Sequence, residues 1–327
     1  MNAAFAGFRH GHVKELWKMA RANPDICVLG GWEENEEARK AAQAWGVEFA
    51  YRRLEDLLRD ERVDLVILGD CYGKRGIQAI EALKAGKHVL ADKPLCTRIA
   101  ELEEIRRLSR EKKRCVSCML PLRYAGYAGS VKRIIDGGEW GRVRCGLLTG
   151  QHPLMYGSRP GWYFEQGMHG GTITDIAVHG VDLIRYLTGQ EMERVEFART
   201  WNAFAKHTPR FRDCGQFAYR LADGAGIMGD VSYASPDSFG YSLDSYWKVQ
   251  LWLDGGKIEF GENLKEIRLY KNGETECRCL PVEGRQEDCL ADLIREIRGG
   301  ESYVQNTRDV LAAMETVLQI QAAAGEE

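Results

Sequence analysis

Short apolar runs alternate with longer amphipathic stretches along the chain as far as Pro121. Compact apolar runs predict buried strands, and apolar positions at helical spacing predict the helices between them. The predicted strands cover residues 3–8, 26–32, 65–68, 88–91 and 115–119, and the predicted helices cover 13–22, 34–44, 76–84 and 99–112. This alternation indicates an α/β domain of the Rossmann type, with a doubly wound, mostly parallel sheet.

After Pro121 the pattern changes, because stretches with a period of two become frequent. They cover residues 195–201, 214–221, 226–233, 247–253 and 267–270, and turn-forming residues at 254–256 and 271–273 separate neighbouring stretches. An apolar strand at 143–148 precedes a loop at 151–171, and helical spacing occurs at 128–136, 175–187 and 308–324. We therefore predict two domains, 1–121 and 122–327. The second has a mostly antiparallel sheet, and the helix at 308–324 is a candidate to pack back on the first domain.

Composition excludes several classes of protein. A net charge of −3 argues against a nucleic-acid partner, and the apolar runs are shorter than the roughly 20 residues that span a membrane. The N-terminus lacks the pattern of a secretory signal, so we expect a cytoplasmic protein. The ten cysteines are scattered, and we expect reduced thiols, with Cys27, Cys71 and Cys145 packed inside apolar runs.

A candidate dinucleotide site follows the first predicted strand, in the segment Gly7-Phe8-Arg9-His10-Gly11-His12. Dinucleotide-binding folds place G-x-G-x-x-G at this junction, where glycines allow a tight turn and close approach of the pyrophosphate. Gly7 fits the first position, whereas Arg9 and His12 replace the second and third glycines. Arg9 and His10 would bring donors and positive charge to the phosphates. The alternative is an ordinary turn with a surface arginine. The candidate residues are Gly7, Phe8, Arg9, His10 and Gly11.

Two carboxylates, Glu33 and Glu34, end the second predicted strand. They lie roughly 20 residues past the glycine segment, where such folds bind the adenosine ribose. A carboxylate at this position repels a 2′-phosphate, so we favour NAD as the cofactor and consider NADP less fitting. Glu33 is the better ribose candidate. Alternatively, these glutamates charge the first turn of the next helix, for which Glu34 is better placed.

Two further segments carry a resemblance to a known family. The first is residues 81–95, which contain Asp92-Lys93-Pro94, and the second is Gly170-Gly171, followed by Asp175, His179 and Asp182. Together they resemble the glucose–fructose oxidoreductase / inositol dehydrogenase (Gfo/Idh/MocA) family, over nearly the whole chain. The sequence departs from the family pattern in the glycine segment and at Asp70-Cys71-Tyr72, where the family has a T-P-N-type loop.

The resemblance implies a Rossmann domain joined to an α+β domain with a large, open, mostly antiparallel sheet, through which homodimers or homotetramers form. It also implies NAD(P)-dependent oxidation or reduction of a sugar, cyclitol or related polyol. Lys93 matches the family's lysine between the nicotinamide and the substrate, and Asp92 matches the acidic residue before it. We count both, together with Asp70 and Tyr72, among the cofactor-binding candidates.

The family match also assigns Asp175 and His179 to the pair that faces the substrate. Four residues apart on a helix, they would share one face. Oxidation of a secondary alcohol needs a base for the hydroxyl proton, which suits histidine, and Lys93 would stabilise the developing alkoxide. We therefore take Lys93, Asp175 and His179 as catalytic candidates. The alternative is that Asp175 begins the helix and His179 is a packing residue.

The loop at 151–171 is rich in aromatic and polar side chains that suit a carbohydrate-like small molecule. A loop that packs on itself is the alternative. We expect no metal, because the possible ligands in this region are irregularly spaced. The substrate candidates are Arg123, His152, Trp162, Tyr163 and His169.

Three functions are compatible with these residues. The first is an NAD-dependent dehydrogenase that acts on a carbohydrate-like small molecule. The second is a lyase or glycosidase that retains NAD and uses transient oxidation. The third is a non-catalytic ligand sensor on the same fold. The presence of Lys93, Asp175 and His179 favours an enzyme.

Overall fold

The computed structural model describes residues 1–284, 287–302 and 304–325, which form two compact units. Unit 1 comprises the described residues of Met1–Met119, Pro160–Gly170 and Cys289–Met314. Unit 2 comprises those of Leu120–Arg159, Gly171–Asp288 and Glu315–Glu327. Each unit is therefore discontinuous in sequence. The first crossing, after Met119, lies close to the domain boundary that the sequence pattern predicts.

Unit 1 contains a five-stranded parallel sheet with the strand order β2-β1-β3-β4-β5. The strands are β1 (Asn2–Ala6), β2 (Cys27–Trp32), β3 (Leu65–Leu68), β4 (His88–Ala91) and β5 (Val116–Cys118). Because the order reverses beside β1, the carboxyl ends of β1 and β3 form the crevice where ligands bind in this architecture. The predicted parallel sheet is confirmed.

Five helices connect or flank these strands, and two of them, α1 and α5, have the predicted bounds. The helices are α1 (Val13–Ala22), α2 (Glu36–Gln43), α3 (Leu54–Arg59), α4 (Tyr72–Lys84) and α5 (Ile99–Lys112). The start of α2 is later than predicted, because the side chain of Asn35 caps the helix and accepts a hydrogen bond from the Ala38 N–H at 2.9 Å. The sequence pattern does not single out the short helix α3.

Unit 2 is built on an eight-stranded sheet with the order β13-β12-β11-β10-β6-β9-β8-β7. Every neighbouring pair is antiparallel except β6 and β9, which confirms the predicted large, mostly antiparallel sheet. Both predicted hairpin turns, β10–β11 and β12–β13, are present. The strands are β6 (Val143–Pro153), β7 (Met192–Trp201), β8 (Cys214–Leu221), β9 (Gly226–Ser235), β10 (Lys248–Leu253), β11 (Gly256–Gly261), β12 (Glu266–Lys271) and β13 (Arg278–Pro281).

The helical part of unit 2 departs from prediction at the glycine pair Gly170-Gly171. The chain there forms a π-helical turn (Ile173–Ala177) before it continues as α7 (Val178–Thr188), so the α-helix predicted from residue 175 is wrong in its first turn. The side-chain oxygen of Gln321 accepts hydrogen bonds from the N–H groups of Ile173 and Thr174, at 3.1 and 3.3 Å. A distant part of the chain therefore supplies the acceptor for the first donors of this turn. Such π turns occur often at functional sites.

Three further helices complete the described fold: α6 (Gly126–Asp136), α8 (Cys289–Ile297) and α9 (Thr307–Ala323). Within the described residues, no helix combines the length and the apolar character that crossing a bilayer requires. All ten cysteines are free thiols. Cys71 is buried as expected, but Cys27 and Cys145 are exposed, because both lie on sheet positions that are not covered.

Candidate functional site

The turn after β1 approaches the turn after β3 so closely that only glycine fits at position 7. Gly7 has a φ of +82°, and a Cβ atom there would lie 2.7 Å from the backbone nitrogen of Asp70. The N–H of His10 donates to the carbonyl of Gly69 at 3.0 Å, which joins the two turns. Gly11 has open space around it. The first glycine of the segment therefore has the strict steric role that a dinucleotide fold requires.

Glu33 lies at the end of β2, with its carboxylate buried against the turn after β1. Its two oxygens accept the N–H groups of Phe8 at 2.5 Å and Asn35 at 2.7 Å. Burial raises the pKa of Glu33, and these backbone hydrogen bonds act against that rise. Since a carboxylate accepts about four hydrogen bonds in all, capacity remains for ribose hydroxyls.

Glu34 differs from Glu33 in that it is half-exposed and forms an ion pair with Lys74. It also lies 3.7 Å from the guanidinium of Arg9. The alternative in which Glu34 charges the first turn of α2 is wrong, because that helix begins at Glu36.

The guanidinium of Arg9 lies among carboxylates rather than in open solvent. Its Nε is 3.6 Å from Asp70 and 3.9 Å from Glu33, and its Nη1 is 3.3 Å from the sulfur of Cys71. The carboxylate of Asp70 is buried and accepts from Gln78 at 2.7 Å. The charge of Arg9 is therefore balanced by the protein, so an incoming phosphate would compete with these carboxylates for the guanidinium.

Asp92 follows β4 and organises the charges at this edge of the sheet. Its side chain is fully buried and accepts from Arg75 Nη2 at 2.9 Å, from the Lys93 N–H at 2.7 Å and from His10 Nδ1. Burial by itself would raise the pKa of Asp92, but His10 and Arg75 hold it well below its usual range. Asp92 is therefore an ionised carboxylate. The sequence pattern gives no sign of Arg75, which is also fully buried.

The side chains of His10, Tyr72 and Tyr163 continue from Asp92 as a hydrogen-bonded chain. The Tyr72 oxygen lies 3.0 Å from His10 Nε2 and 2.8 Å from the Tyr163 oxygen. Burial lowers the pKa of His10 to about 3. His169 packs against both tyrosine rings, with ring centroids 5.7 and 5.5 Å away.

Residues 160–170 belong to unit 1 and bring part of the predicted substrate loop onto the predicted cofactor loops. Trp162 stacks on Tyr163 with a centroid distance of 4.2 Å and donates its indole N–H to the Arg9 carbonyl at 3.3 Å. Lys93 is buried, with its ammonium nitrogen 5.5 Å from the centroid of the Tyr72 ring. Three substrate candidates, Trp162, Tyr163 and His169, thus lie beside the cofactor candidates Arg9 and Tyr72.

Possible metal ligands are close together at one place in the described residues. The ligand atoms of His10, His12 and Asp92 all lie within 4.8 Å of one another. However, His10 Nε2 is already hydrogen-bonded to the hydroxyl group of Tyr72, and the carboxylate of Asp92 is already paired with the cation of Arg75. We therefore do not identify a metal site, and the absence of a metal stays a prediction.

In unit 2, Asp175 lies in the π-helical turn and is buried. Its carboxylate accepts a hydrogen bond from the hydroxyl group of Tyr233. The guanidinium of Arg159 lies 5.0 Å from the centroid of the same tyrosine ring. Tyr233 is on β9, and nothing in the sequence pattern relates it to Asp175. Strand register within the sheet makes that contact possible.

Aromatic side chains connect His152 to His179 in unit 2. The His152 ring lies 5.5 Å from Trp247 and 4.9 Å from Tyr246, and His179 lies 5.3 Å from the same tryptophan. His152 also faces Tyr233, at 6.2 Å. Burial raises the pKa of Tyr246 to about 12. The structure therefore places His152 and His179 around one tryptophan, and His152 and Asp175 share Tyr233 as a neighbour.

Arg123 is placed differently from the other substrate candidates. Its guanidinium binds both oxygens of Asp182, at 2.7 and 2.5 Å, and the two side chains are almost completely buried. This bidentate pair fixes α7 and accounts for Arg123 without a ligand. A contact of Arg123 with substrate stays a prediction that the geometry does not favour.

Comparison with known families gives two matches. Residues 4–119 match the oxidoreductase family with an NAD-binding Rossmann fold. Residues 129–258 match the C-terminal domain of the Gfo/Idh/MocA proteins. Together the two matches cover most of the chain, and the gap between them follows β5.

Individual relatives are distant in sequence but similar in length and structure. Myo-inositol 2-dehydrogenase of Thermotoga maritima is 23% identical over 274 residues, which cover 81% of this chain and 79% of the relative. An inositol dehydrogenase homologue from Azotobacter vinelandii, solved with NAD⁺, is 14% identical with a TM-score of 0.81, over 99% of this chain and 95% of the other. Biliverdin reductase of Synechocystis sp. PCC 6803, solved with biliverdin and NADP⁺, is 19% identical with a TM-score of 0.79, over 99% of both chains. These structures share the fold with this chain.

Proposed function

Because the chain belongs to the Gfo/Idh/MocA family of oxidoreductases, we propose that it is an NAD-dependent dehydrogenase of a sugar, cyclitol or related polyol. The observation that carries this proposal is the edge of the parallel sheet at β4. There, a buried ionised Asp92 precedes a buried Lys93, next to the crevice at the carboxyl ends of β1 and β3. The bound nicotinamide would accept or give the hydride. The protein would bind the alcohol and handle its proton.

We propose separate roles for the three catalytic candidates. Lys93 is a cation in a water-poor position, where it donates to the substrate oxygen and stabilises negative charge on it. His179 accepts the hydroxyl proton. Asp175 stays oriented by the hydroxyl of Tyr233 and binds a second hydroxyl group or orients His179. Tyr233 is then a positioning residue.

NAD, rather than NADP, is the proposed cofactor because Glu33 is held at the end of β2 by two backbone N–H groups. This rigid carboxylate accepts hydrogen bonds from ribose hydroxyls and repels a 2′-phosphate. Cytoplasmic location and a homodimer or homotetramer formed through the sheet of unit 2 are also proposals. Exposed apolar side chains on that sheet support the second one: Phe197, Met228, Trp252 and Tyr270. The described residues give no support to a redox-assisted lyase or to a ligand sensor.

The test is the reduction of NAD, followed at 340 nm, with a panel of sugars and cyclitols that includes myo-inositol. Lys93→Ala and His179→Ala should each lower turnover by about 10²-fold or more, the usual effect of removing a positioned catalytic group, and should leave NAD affinity nearly unchanged. Lys18→Ala, on the exposed surface of α1, is the matched control and should behave as wild type. Near wild-type turnover of either catalytic variant would show that its assigned role is wrong. Absence of NAD reduction with every polyol would contradict the function itself.

A further inference from the structure

The π-helical turn that carries Asp175 begins without a cap from its immediate neighbours. Helices are usually capped by a side-chain oxygen just ahead of their first turn. Here Gly171 has no side chain, and the hydroxyl group of Thr172 donates to the carbonyl of Arg212 instead. The first N–H groups of the turn belong to buried residues, so they need an acceptor from elsewhere in the chain.

Gln321 on α9 supplies that acceptor within unit 2, 148 residues away from Ile173. Its oxygen lies 3.1 Å from the backbone nitrogen of Ile173 and 3.3 Å from that of Thr174. Both partners are donors, so the amide must present its oxygen, and not its nitrogen, to the turn. The N–H of Asp175 then donates to the carbonyl of Gly171 at 2.9 Å. Gln321 therefore caps the two residues directly before Asp175.

Glycine at position 171 leaves the space that this cap requires. A Cβ atom there would lie 2.2 Å from the oxygen of Gln321 and 2.3 Å from the carbon that carries this oxygen. The backbone of Gly171 has a φ of +94°, which also favours glycine. Any larger residue would push the amide of Gln321 away from the turn. The glycine and the glutamine therefore depend on each other.

The capped segment holds two of the three catalytic candidates. Asp175 accepts a hydrogen bond from Tyr233 inside the π-helical turn, and His179 packs against Trp247 from the first turn of α7. A π turn holds one more residue than an α turn. If the turn relaxed into an α-helix, the loss of that residue would rotate Asp175 by about 100° around the helix axis relative to His179. The π turn therefore fixes the relative orientation of the two side chains.

We propose that Gln321 is a positioning residue of the catalytic site, which holds the π-helical turn and thereby keeps Asp175 against Tyr233 and correctly oriented relative to His179. This inference rests on the proposed dehydrogenase function. Gln321 acts through the backbone of the turn and needs no contact with a ligand. Removal of its oxygen should therefore lower turnover without weakening the binding of NAD.

Three variants on α9 test the proposal. Gln321→Met keeps the length of the side chain and removes the oxygen. Gln321→Glu keeps an oxygen acceptor and adds a negative charge, which the positive end of a helix favours. Gln319→Met makes the same change at an exposed position of the same helix and is the matched control. Because Gln321 is only half-buried, we expect all three variants to fold, which urea denaturation checks.

Two nuclear magnetic resonance measurements need no ligand. Amide hydrogen exchange at Ile173 and Thr174 should be about fivefold faster or more in Gln321→Met, the usual effect of a lost cap, and unchanged in the other two variants. The ¹³Cζ signal of Tyr233, identified by its absence in Tyr233→Phe, should move in Gln321→Met alone, because its hydrogen bond to Asp175 changes. Unchanged exchange, or an unmoved Tyr233 signal, would overturn the proposal.

Kinetics with an alcohol of the panel then separate positioning from stability. Gln321→Met should lower kcat by about tenfold or more, because small misplacements of reacting groups are costly, and should leave the Kd of NAD unchanged. Gln321→Glu should keep kcat near the wild-type value. A loss of stability with an unchanged kcat would show a purely structural role and overturn the proposal. If wild type reduces NAD with no alcohol, the proposed function fails, while the exchange and the Tyr233 signal still decide whether Gln321 holds Asp175 in place.

Discussion

Replacing Arg75 with methionine should strongly destabilise unit 1, because the substitution leaves buried charge and buried carbonyls without their partner. Arg75 is fully buried, pairs with Asp92 at 2.9 Å and donates to the carbonyls of Asp70 at 2.8 Å and Pro94 at 3.3 Å. Breaking a buried ion pair from one side costs about 3–5 kcal/mol. Asp92 keeps its contacts with His10 and the Lys93 N–H, so we expect the loss to stay within that range.

The pH dependence of stability should change in the same variant. The pKa of Asp92 is lowered in the folded state, so its contribution is present above the ordinary carboxyl pKa, about 3.9, and is lost as the pH falls through the folded value. Methionine at position 75 removes one of the groups that lower this pKa. The acid-induced loss of stability that Asp92 contributes should therefore be smaller than in wild type and should be complete at a higher pH.

Urea denaturation followed by circular dichroism, at neutral pH and at a series of acidic pH values, measures both effects. The matched control is Arg53→Met, which breaks an exposed pair with Asp56 and should leave the free energy of unfolding nearly unchanged. A loss below about 1 kcal/mol for Arg75→Met would refute the reasoning, because the buried pair would then behave like the surface pair.

Four other substitutions test the cofactor loops and the sheet. Glu33→Ala should weaken NAD binding and reduce the difference in affinity between NAD and NADP, as measured by quenching of tryptophan fluorescence. A wild-type preference for NADP would contradict the ribose assignment. Gly7→Ala should cost at least about 1–2 kcal/mol for the left-handed backbone alone, with a further clash against Asp70, and should weaken NAD binding. Gly11→Ala should be tolerated, because a Cβ atom at this position meets open space. Equal losses of stability in both glycine variants would argue against the steric role of Gly7. Met228→Glu, at an exposed position of β9, should lower the mass measured by light scattering if the sheet forms a homo-oligomer, and an unchanged oligomer would exclude this part of the sheet from the interface.

Local pattern predicts most of the secondary structure, because it depends on side chains that are near one another in sequence. β3 and α5 have the predicted bounds. The start of α4 at Tyr72 is one turn earlier than predicted, since Gly73 and two cations weaken the helical pattern there. The π-helical turn lies beyond local prediction, because the group that satisfies its first N–H donors is Gln321.

The sequence predicts the site residues that belong to one motif. It does not predict their hydrogen-bond partners, which the fold brings from elsewhere in the chain. The resemblance identifies Asp92, Lys93, Asp175 and His179, but their partners Arg75 and Tyr233 follow from packing and strand register. Arg123 shows the opposite error. The sequence suggests a substrate contact for this arginine, whereas the structure pairs it with the buried carboxylate of Asp182, a residue far along the chain.

The interleaving of the two units decides how this enzyme can be divided. Three segments of the chain build each unit, so a fragment that ends at Met119 would lack Trp162 and Tyr163 together with α8. An isolated nucleotide-binding half made by simple truncation would therefore lose the aromatic cover of its glycine turn. Exchange of halves between homologues must transplant residues 160–170 as well, since recombination at one junction would separate Tyr163 from its phenol partner.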